Sequence, residues 1–201
     1  ARFVPFLKER MFNNEDRDTQ ITHCPRCRMF YSSYRPSDDE MDLLYTGYRD
    51  ETYQKIREKY EPSYAKEFNK KLFAPADGGE KRRQNIAHFL IPVIKTKELK
   101  KILDFGGDKG QFIPKNWEKA NKYVYEISER EVIDGVVLLT DKHDLGLYQW
   151  DLILCNMVLE HLSDVKSYFK ELVKYMGDNT LLYVEAPNDA SEDTELVRIH
   201  E

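Results

Sequence analysis

The stretch Asp104-Phe105-Gly106-Gly107-Asp108-Lys109-Gly110 puts an acid two residues ahead of the first glycine of a turn, directly after the apolar pair Ile102-Leu103. Glycines at such a turn let backbone N–H groups come close to a ligand, and a helix starting beyond it would add its positive dipole end. Three more polar residues close later apolar runs: Glu126 after YVY, Asp141 after VVLLT, and Asn156 after LILC. The dinucleotide pattern G-x-G-x-x-G fails, because Asp108 and Gln111 hold the second and third glycine positions counted from Gly106. The phosphate-cradling pattern G-x-x-x-x-G-K-[ST] fails too, since no Lys-Ser or Lys-Thr follows Gly110. A set of carboxylates in these places suits a ligand with an ammonium group, a ribose diol and an exocyclic amine better than a pyrophosphate.

Those residues need a scaffold that lines up strand ends. KKILDFGG, KYVYEIS, DGVVLLTD, WDLILCNMV and TLLYVEAP are short apolar runs of the kind that form strands buried on both faces. KRRQNIAHFLIPVI predicts a helix that Pro92 kinks or ends. DVKSYFKELVKYM predicts another, capped by Ser163 and ended by Gly177, with Val165, Tyr168, Phe169, Leu172, Val173 and Met176 on one face. Alternation of this kind predicts an α/β fold with a doubly wound, mostly parallel sheet, in which ligands bind beyond the carboxyl ends of the strands.

With these residues in place, the segment from about 85 to 188 resembles the class I S-adenosylmethionine-dependent methyltransferases. ILDFGGDKG is similar to their first motif. The resemblance implies a Rossmann-like sheet whose turn at Gly106, Gly107 and Gly110 receives the methionine part of the cofactor S-adenosylmethionine, with Asp104 ordering the turn. It implies that Glu126 takes the ribose hydroxyls, that Asp141 meets the adenine amino group, and that Asn156 and the residues after it flank the cofactor and the substrate mouth. The pattern departs from D-x-G-x-G-x-G at Asp108, with Gly107 expected to carry the flexibility one position earlier. His161 in LEHLSD is the candidate general base, and Cys155 reads as a small buried hydrophobe.

Ahead of this segment, Cys24-Pro25-Arg26-Cys27 is half of a tetrahedral zinc site, with two thiolates on one turn. The stretch THCPRCRMFYSSYRPSDDEMDLLYTGYRDETY resembles the cysteine-bearing N-terminal module of bacterial small-molecule methyltransferases, many acting on sugars or nucleotide-linked sugars. That resemblance implies a zinc-ribbon-like module over residues 1–36, read as β-rich or irregular and as incomplete. Residues 37–80 are expected to be a helical connector and linker, entered by a cap at Ser37 and continuous from about Glu40 to Asn69, with APADGGE as the loosest part. Residues 81–201 are the expected cofactor-binding domain. Tyr45, Tyr48, Arg49 and Tyr53 read either as a lid over the sulfonium, with Arg49 pairing with an anion, or as a helix packing its tyrosines. Lys81, Arg82 and Arg83 read as a phosphate-facing cluster or as a solvated helix start.

Composition bounds the rest. Hydrophobic residues make up 41% of the 201 residues and charged residues 33%, which excludes collagen, low-complexity disorder and a disulfide scaffold. The net charge of −5 gives no overall pull toward nucleic acid, although residues 1–99 hold 19 Lys and Arg against 16 Asp and Glu, and the remainder hold 12 against 20. No apolar run nears the ~20 residues that span a bilayer, and three cysteines cannot build a disulfide framework. A cytoplasmic setting, a small-molecule acceptor and no membrane partner are expected; nothing in the sequence specifies an oligomeric state. The expected chemistry is methyl transfer to a sugar, nucleotide-sugar or phosphate-linked metabolite. The alternative is a zinc-ribbon interaction protein that binds the cofactor without turnover. Five of seven expected strands are visible, so the sequence reads as part of a longer protein.

Overall fold

The structure is a computed structural model that describes residues 1–47, 50–62, 78–95, 97–126, 131–188, 190–191 and 194–197. It divides into two compact units. The first comprises Ala1–Lys71, Leu159–Asp164 and Ala186–Glu201, the second Leu72–Val158 and Val165–Glu185.

The first unit opens with strand β1 (Arg2–Phe3) and helix α1 (Pro5–Met11). Proline is pre-organised for a first helical position, and Phe6, Leu7 and Met11 all turn inward. A helix therefore stands where β or irregular structure was expected. Strands β2 (Ile21–His23) and β3 (Phe30–Ser32) form an antiparallel hairpin. Helix α2 (Asp38–Tyr45) starts at the expected Ser37, which makes a reciprocal capping box with Glu40. The connector is not one helix. Gly47 turns at φ +66° and Asp50 caps a separate helix, α3 (Glu51–Tyr60). Phe3, Phe6, Leu7, Phe12, Met41, Leu44 and Tyr53 form a common core for β1 and these three helices.

In the second unit, helix α4 (Gly78–Ile94) leads into strand β4 (Lys101–Phe105). Adjacent glycines are a poor helix start, yet Gly79 leaves space that the Arg83 side chain occupies. A Cβ there would stand 3.2 Å from the Gln111 carbonyl oxygen and 2.7 Å from Arg83 Nη1, which itself donates to that carbonyl at 2.6 Å. The helix continues through Pro92 to Ile94. The rest of the linker expected over 74–80 lies outside the described residues. Strands β5 (Asn121–Tyr125) and β6 (Val136–Leu139), the short helix α5 (Lys142–Leu145), strand β7 (Leu152–Asn156), helix α6 (Val165–Val173) and strand β8 (Leu181–Glu185) complete the unit. Ser163 does not cap α6; its hydroxyl donates to Asp38, within the first unit.

All five expected strands join one sheet in the order β6-β5-β4-β7-β8, and every pair is parallel. The three central strands, β5, β4 and β7, have two apolar faces because both are covered, whereas Val137 of β6 and Val184 of β8 are exposed. Ile102, Val124, Leu152 and Leu154 pack against Ile86, Leu90 and Ile94 of α4. Leu103, Tyr123, Tyr125 and Ile153 pack on the other side with Trp150 and with Leu172 of α6. Fully burying each Leu or Ile is worth about 1.5–3 kcal/mol, and Ile102, Leu103, Leu152, Ile153 and Leu154 are all 0% exposed. The central strands are the most firmly held part of the unit, so residues at their carboxyl ends start from rigid positions.

Among the described residues, no helix is long and apolar enough to cross a membrane.

Candidate functional site

The strand order reverses at β4, which has the later strand β5 on one side and the still later β7 on the other. This is the switch point where an open parallel sheet leaves a crevice at its carboxyl edge. Asp104 and Asn156 meet there, Asn156 Nδ2 donating to Asp104 Oδ1 at 3.3 Å. Asp104 is 0% exposed and Asn156 7%. Burial pushes the Asp104 carboxyl up to about 7, against the lowering effects of the Asn156 hydrogen bond and the Arg82 charge, with Asp108 and Glu126 adding to the rise. Asp104 Oδ2 and Asn156 Oδ1 have no hydrogen-bond partner among the described residues. Asp104 is therefore sealed beneath the turn, where it can shape the backbone above it.

That turn has an exact alternation of left-handed residues: Gly106 at φ +75°, Asp108 at +52° and Gly110 at +75°. Asp108 adopts the conformation a glycine would supply, which Asp tolerates better than most residues. Flexibility is thus not shifted to Gly107, as the sequence suggested. Gly107 is needed for space, because a Cβ there would stand 2.4 Å from Asp104 Cγ. Gly110 presses on the sheet in the same way, its missing Cβ lying 2.9 Å from Val124 Cγ2 and 3.1 Å from Val136 Cγ1. Gly106 accommodates Val158, whose Cγ2 would be 2.9 Å from an added Cβ. Beyond Gly110 the chain runs through turns to Ala120, with Pro114 among them, so the expected helix and its dipole are not part of this site.

Glu126 follows β5 directly and is half-buried, its amide donating to the Leu139 carbonyl at 3.1 Å. Asp141 is exposed and caps α5, accepting from the His143 amide at 2.8 Å through Oδ1. Asp104, Gly106, Gly107, Gly110, Glu126, Asp141 and Asn156 thus all lie at or just beyond strand ends on the carboxyl edge. Arg82, one of the three basic residues read from sequence as a phosphate-facing cluster or a solvated helix start, has its Nε 3.0 Å from Glu185 Oε1 at the end of β8.

The other candidates fall in the first unit or outside the described residues. His161 lies in a 3₁₀ turn, Leu159–His161. Its Nδ1 is 2.6 Å from the Tyr45 hydroxyl, and its Nε2 is 3.8 Å from Glu160 Oε1. Tyr53 is buried in the helical core, which realises the packing alternative for that ring. Tyr48 and Arg49 lie outside the described residues. Cys24 and Cys27 flank the β2–β3 turn; hydrogen bonds from the Cys27 backbone and side chain and the Arg26 backbone lower the Cys24 thiol. Two thiols do not make a structural zinc site, and among the described residues no group of three or more His, Cys, Asp or Glu could hold a metal ion. The described residues thus hold two of the four ligands that a structural zinc site needs. Cys155 is buried, 3.3 Å from the Tyr168 hydroxyl.

The sequence profile of a family described as "Methyltransferase domain" matches residues 78–200. The chain belongs to this family. Its methyltransferase domain carries the Rossmann-like parallel sheet described above. No curated protein matches the chain in sequence. Among solved structures, similarity extends to the plantazolicin methyltransferase BpumL in complex with a monoazolic desmethylPZN analog and SAH, at 16% identity over 72% of this chain and 57% of that one, with a TM-score of 0.47. The 16S rRNA methylase ArmA is similar at 15% identity over 70% of this chain and 79% of that one, with a TM-score of 0.46. Coclaurine N-methyltransferase, bound to N-methylheliamine and SAH, is similar at 13% identity over 51% and 35%, with a TM-score of 0.40. The chain thus spans 57% of the plantazolicin enzyme's length.

Proposed function

We propose that this chain takes part in methyl transfer from S-adenosylmethionine to a small-molecule acceptor. The observation that carries the reading is the turn with left-handed residues at 106, 108 and 110, set at the sheet's switch point with Glu126 at the neighbouring strand end. Membership of the methyltransferase family supports it independently. S-adenosylmethionine is the methyl donor, and when bound it supplies a methyl group already activated by a sulfonium leaving group.

The donor set fits that molecule. Gly106 and Asp108 are half-buried and bring backbone close to the crevice, and no side chain projects from Gly106 or Gly107. Glu126 is placed to accept two hydrogen bonds from a ribose diol, the charge-assisted kind that holds best. Asp141 keeps one carboxylate oxygen free of its cap for an exocyclic amine. Asp104 acts from below, its carboxyl filling the space that fixes the Gly107 backbone. Rigid placement of both reactants supplies much of the acceleration such a displacement needs, because the leaving group asks for no covalent help.

For the acceptor we propose a sugar, nucleotide-sugar or other phosphate-linked metabolite. The support is the resemblance of the segment from Thr22 to Tyr53 to modules of small-molecule methyltransferases. Two measurements test the reading. Calorimetry should detect binding of S-adenosylhomocysteine and none of NAD; the reverse result would remove the donor assignment. A screen with labelled S-adenosylmethionine should then transfer label to a metabolite of this class, and label on RNA or protein alone would remove the acceptor assignment.

A further inference from the structure

Arg82 stands apart from the basic residues around it. Arg83 is committed to structure, donating to Glu80 and to the Gln111 carbonyl. Arg82 instead reaches along the carboxyl edge of the sheet. Its guanidinium carbon lies 4.7 Å from the centre of the Phe112 ring, two residues past the glycine turn, and its Nε pairs with Glu185 at the end of β8. Ring and carboxylate together fix the plane of the guanidinium. Among the described residues, neither Nη group makes a hydrogen bond, and the side chain is 28% exposed. The fork is oriented, partly desolvated and open.

We propose that Arg82 holds the carboxylate of the donor's amino-acid end, an assignment that rests on the S-adenosylmethionine reading above. A guanidinium presents two parallel N–H donors that match one carboxylate, and with Nε already taken by Glu185 the remaining pair is the Nη groups. The surrounding charge selects the kind of anion. Glu185 touches Arg82, and Asp104, Asp108 and Glu126 all lie at the same edge of the sheet, so a dianionic phosphate would meet several carboxylates. A zwitterion would not, because its ammonium group answers the acids while its carboxylate answers Arg82. The field of Arg82 already reaches this edge, since it lowers the Asp104 carboxyl against the effect of burial.

Calorimetry on the full chain tests this with two ligands: S-adenosylhomocysteine, and its decarboxylated analogue S-adenosyl-3-thiopropylamine, which keeps nucleoside, sulfur and ammonium. The unaltered protein should bind the first at least about tenfold more tightly, the loss expected on removing one partner of a charge-assisted bidentate pair. Arg82→Met, which keeps an apolar stem over Phe112, should bring the two affinities within about twofold by weakening only the first. Equal binding by the unaltered protein would overturn the assignment without needing any variant. So would an Arg82→Met protein that still discriminates, or one that loses both ligands equally. Failure of the unaltered protein to bind either ligand would instead overturn the donor reading, and this assignment with it.

Discussion

Asn156 Nδ2 donates to Asp104 Oδ1 at 3.3 Å, joining the carboxyl ends of the two strands on either side of the switch-point crevice. The bond is buried on both sides, and an oxygen of each residue is left without a partner among the described residues. A carboxyl in that setting resists ionisation, so the turn above it rests on a group whose charge depends on pH.

Acid should therefore favour this fold over the range where most proteins gain stability from neutralising pH. An unfolded Asp loses its proton near pH 4 and the folded one near 7. Between those values the unfolded state releases a proton that the folded state keeps, so stability is fully present below about pH 4 and falls as pH rises to about 7. The difference corresponds to as much as about 4 kcal/mol. Asp104→Asn should remove this slope and leave the variant more stable than the parent at pH 8. Urea denaturation at pH 4, 6 and 8 measures it, and parallel pH profiles for the two proteins would contradict it.

Asp108→Gly should stabilise the protein. Asp108 sits at φ +52°, which glycine occupies without strain, and its contact with Gln111 Nε2 is a long one, 3.4 Å. The gain should be about 0.5–1 kcal/mol, read as a higher urea midpoint with an unchanged slope.

Gly107→Ala should do the opposite, since its Cβ would stand 2.4 Å from Asp104 Cγ. The expected loss is about 1–3 kcal/mol. Adding Asp104→Ala should recover part of that loss, giving a non-additive double-mutant cycle. Additive effects would mean that the two residues do not crowd each other.

Glu126→Ala should weaken S-adenosylhomocysteine binding several-fold or more while leaving the thermal midpoint within a few degrees, because the residue is half-buried at a strand end and is not among those that form the core. Calorimetry and a thermal melt on the same sample decide it. Unchanged affinity would show that the ribose is held elsewhere.

Tyr45→Phe should cost about 1 kcal/mol by removing the hydroxyl that lies 2.6 Å from His161 Nδ1. In a double-mutant cycle with His161→Leu, the coupling energy should be of the same size. A coupling near zero would mean that the bond contributes nothing to folding.

The parallel sheet was legible because its central strands are buried on both faces, and a run such as LILC has no polar residue to disguise it. The acids and Asn156 were legible for a related reason, since a polar residue ending an apolar run marks a strand end. What escaped depended on close approach in three dimensions. Gly79 reads as a helix breaker until Gln111 is seen against it. Gly107 reads as a flexible link until the Asp104 carboxyl is found in the place of its side chain. Ser163 has the spacing of a cap, yet Asp38, far away in sequence, takes its hydroxyl. Arg82 and Arg83 are neighbours of one type, and only their partners, Glu185 and Gln111, separate an open guanidinium from a structural one. Helix α1 was missed because seven residues carry too little periodicity to announce themselves.

Strand β1 pairs in parallel with β9 (Leu196–Val197), Arg2 facing Leu196 and Phe3 facing Val197. The first unit thus takes its opening strand and its last strand from opposite ends of this sequence, while every strand of the parallel sheet comes from the stretch between them. Closing so long a loop is slow, whereas the sheet needs only segments that follow one another. On a ribosome the later unit should therefore be finished first. The opening residues, with Phe3 and its neighbours still short of their last strand, would wait for the chain to come back to them.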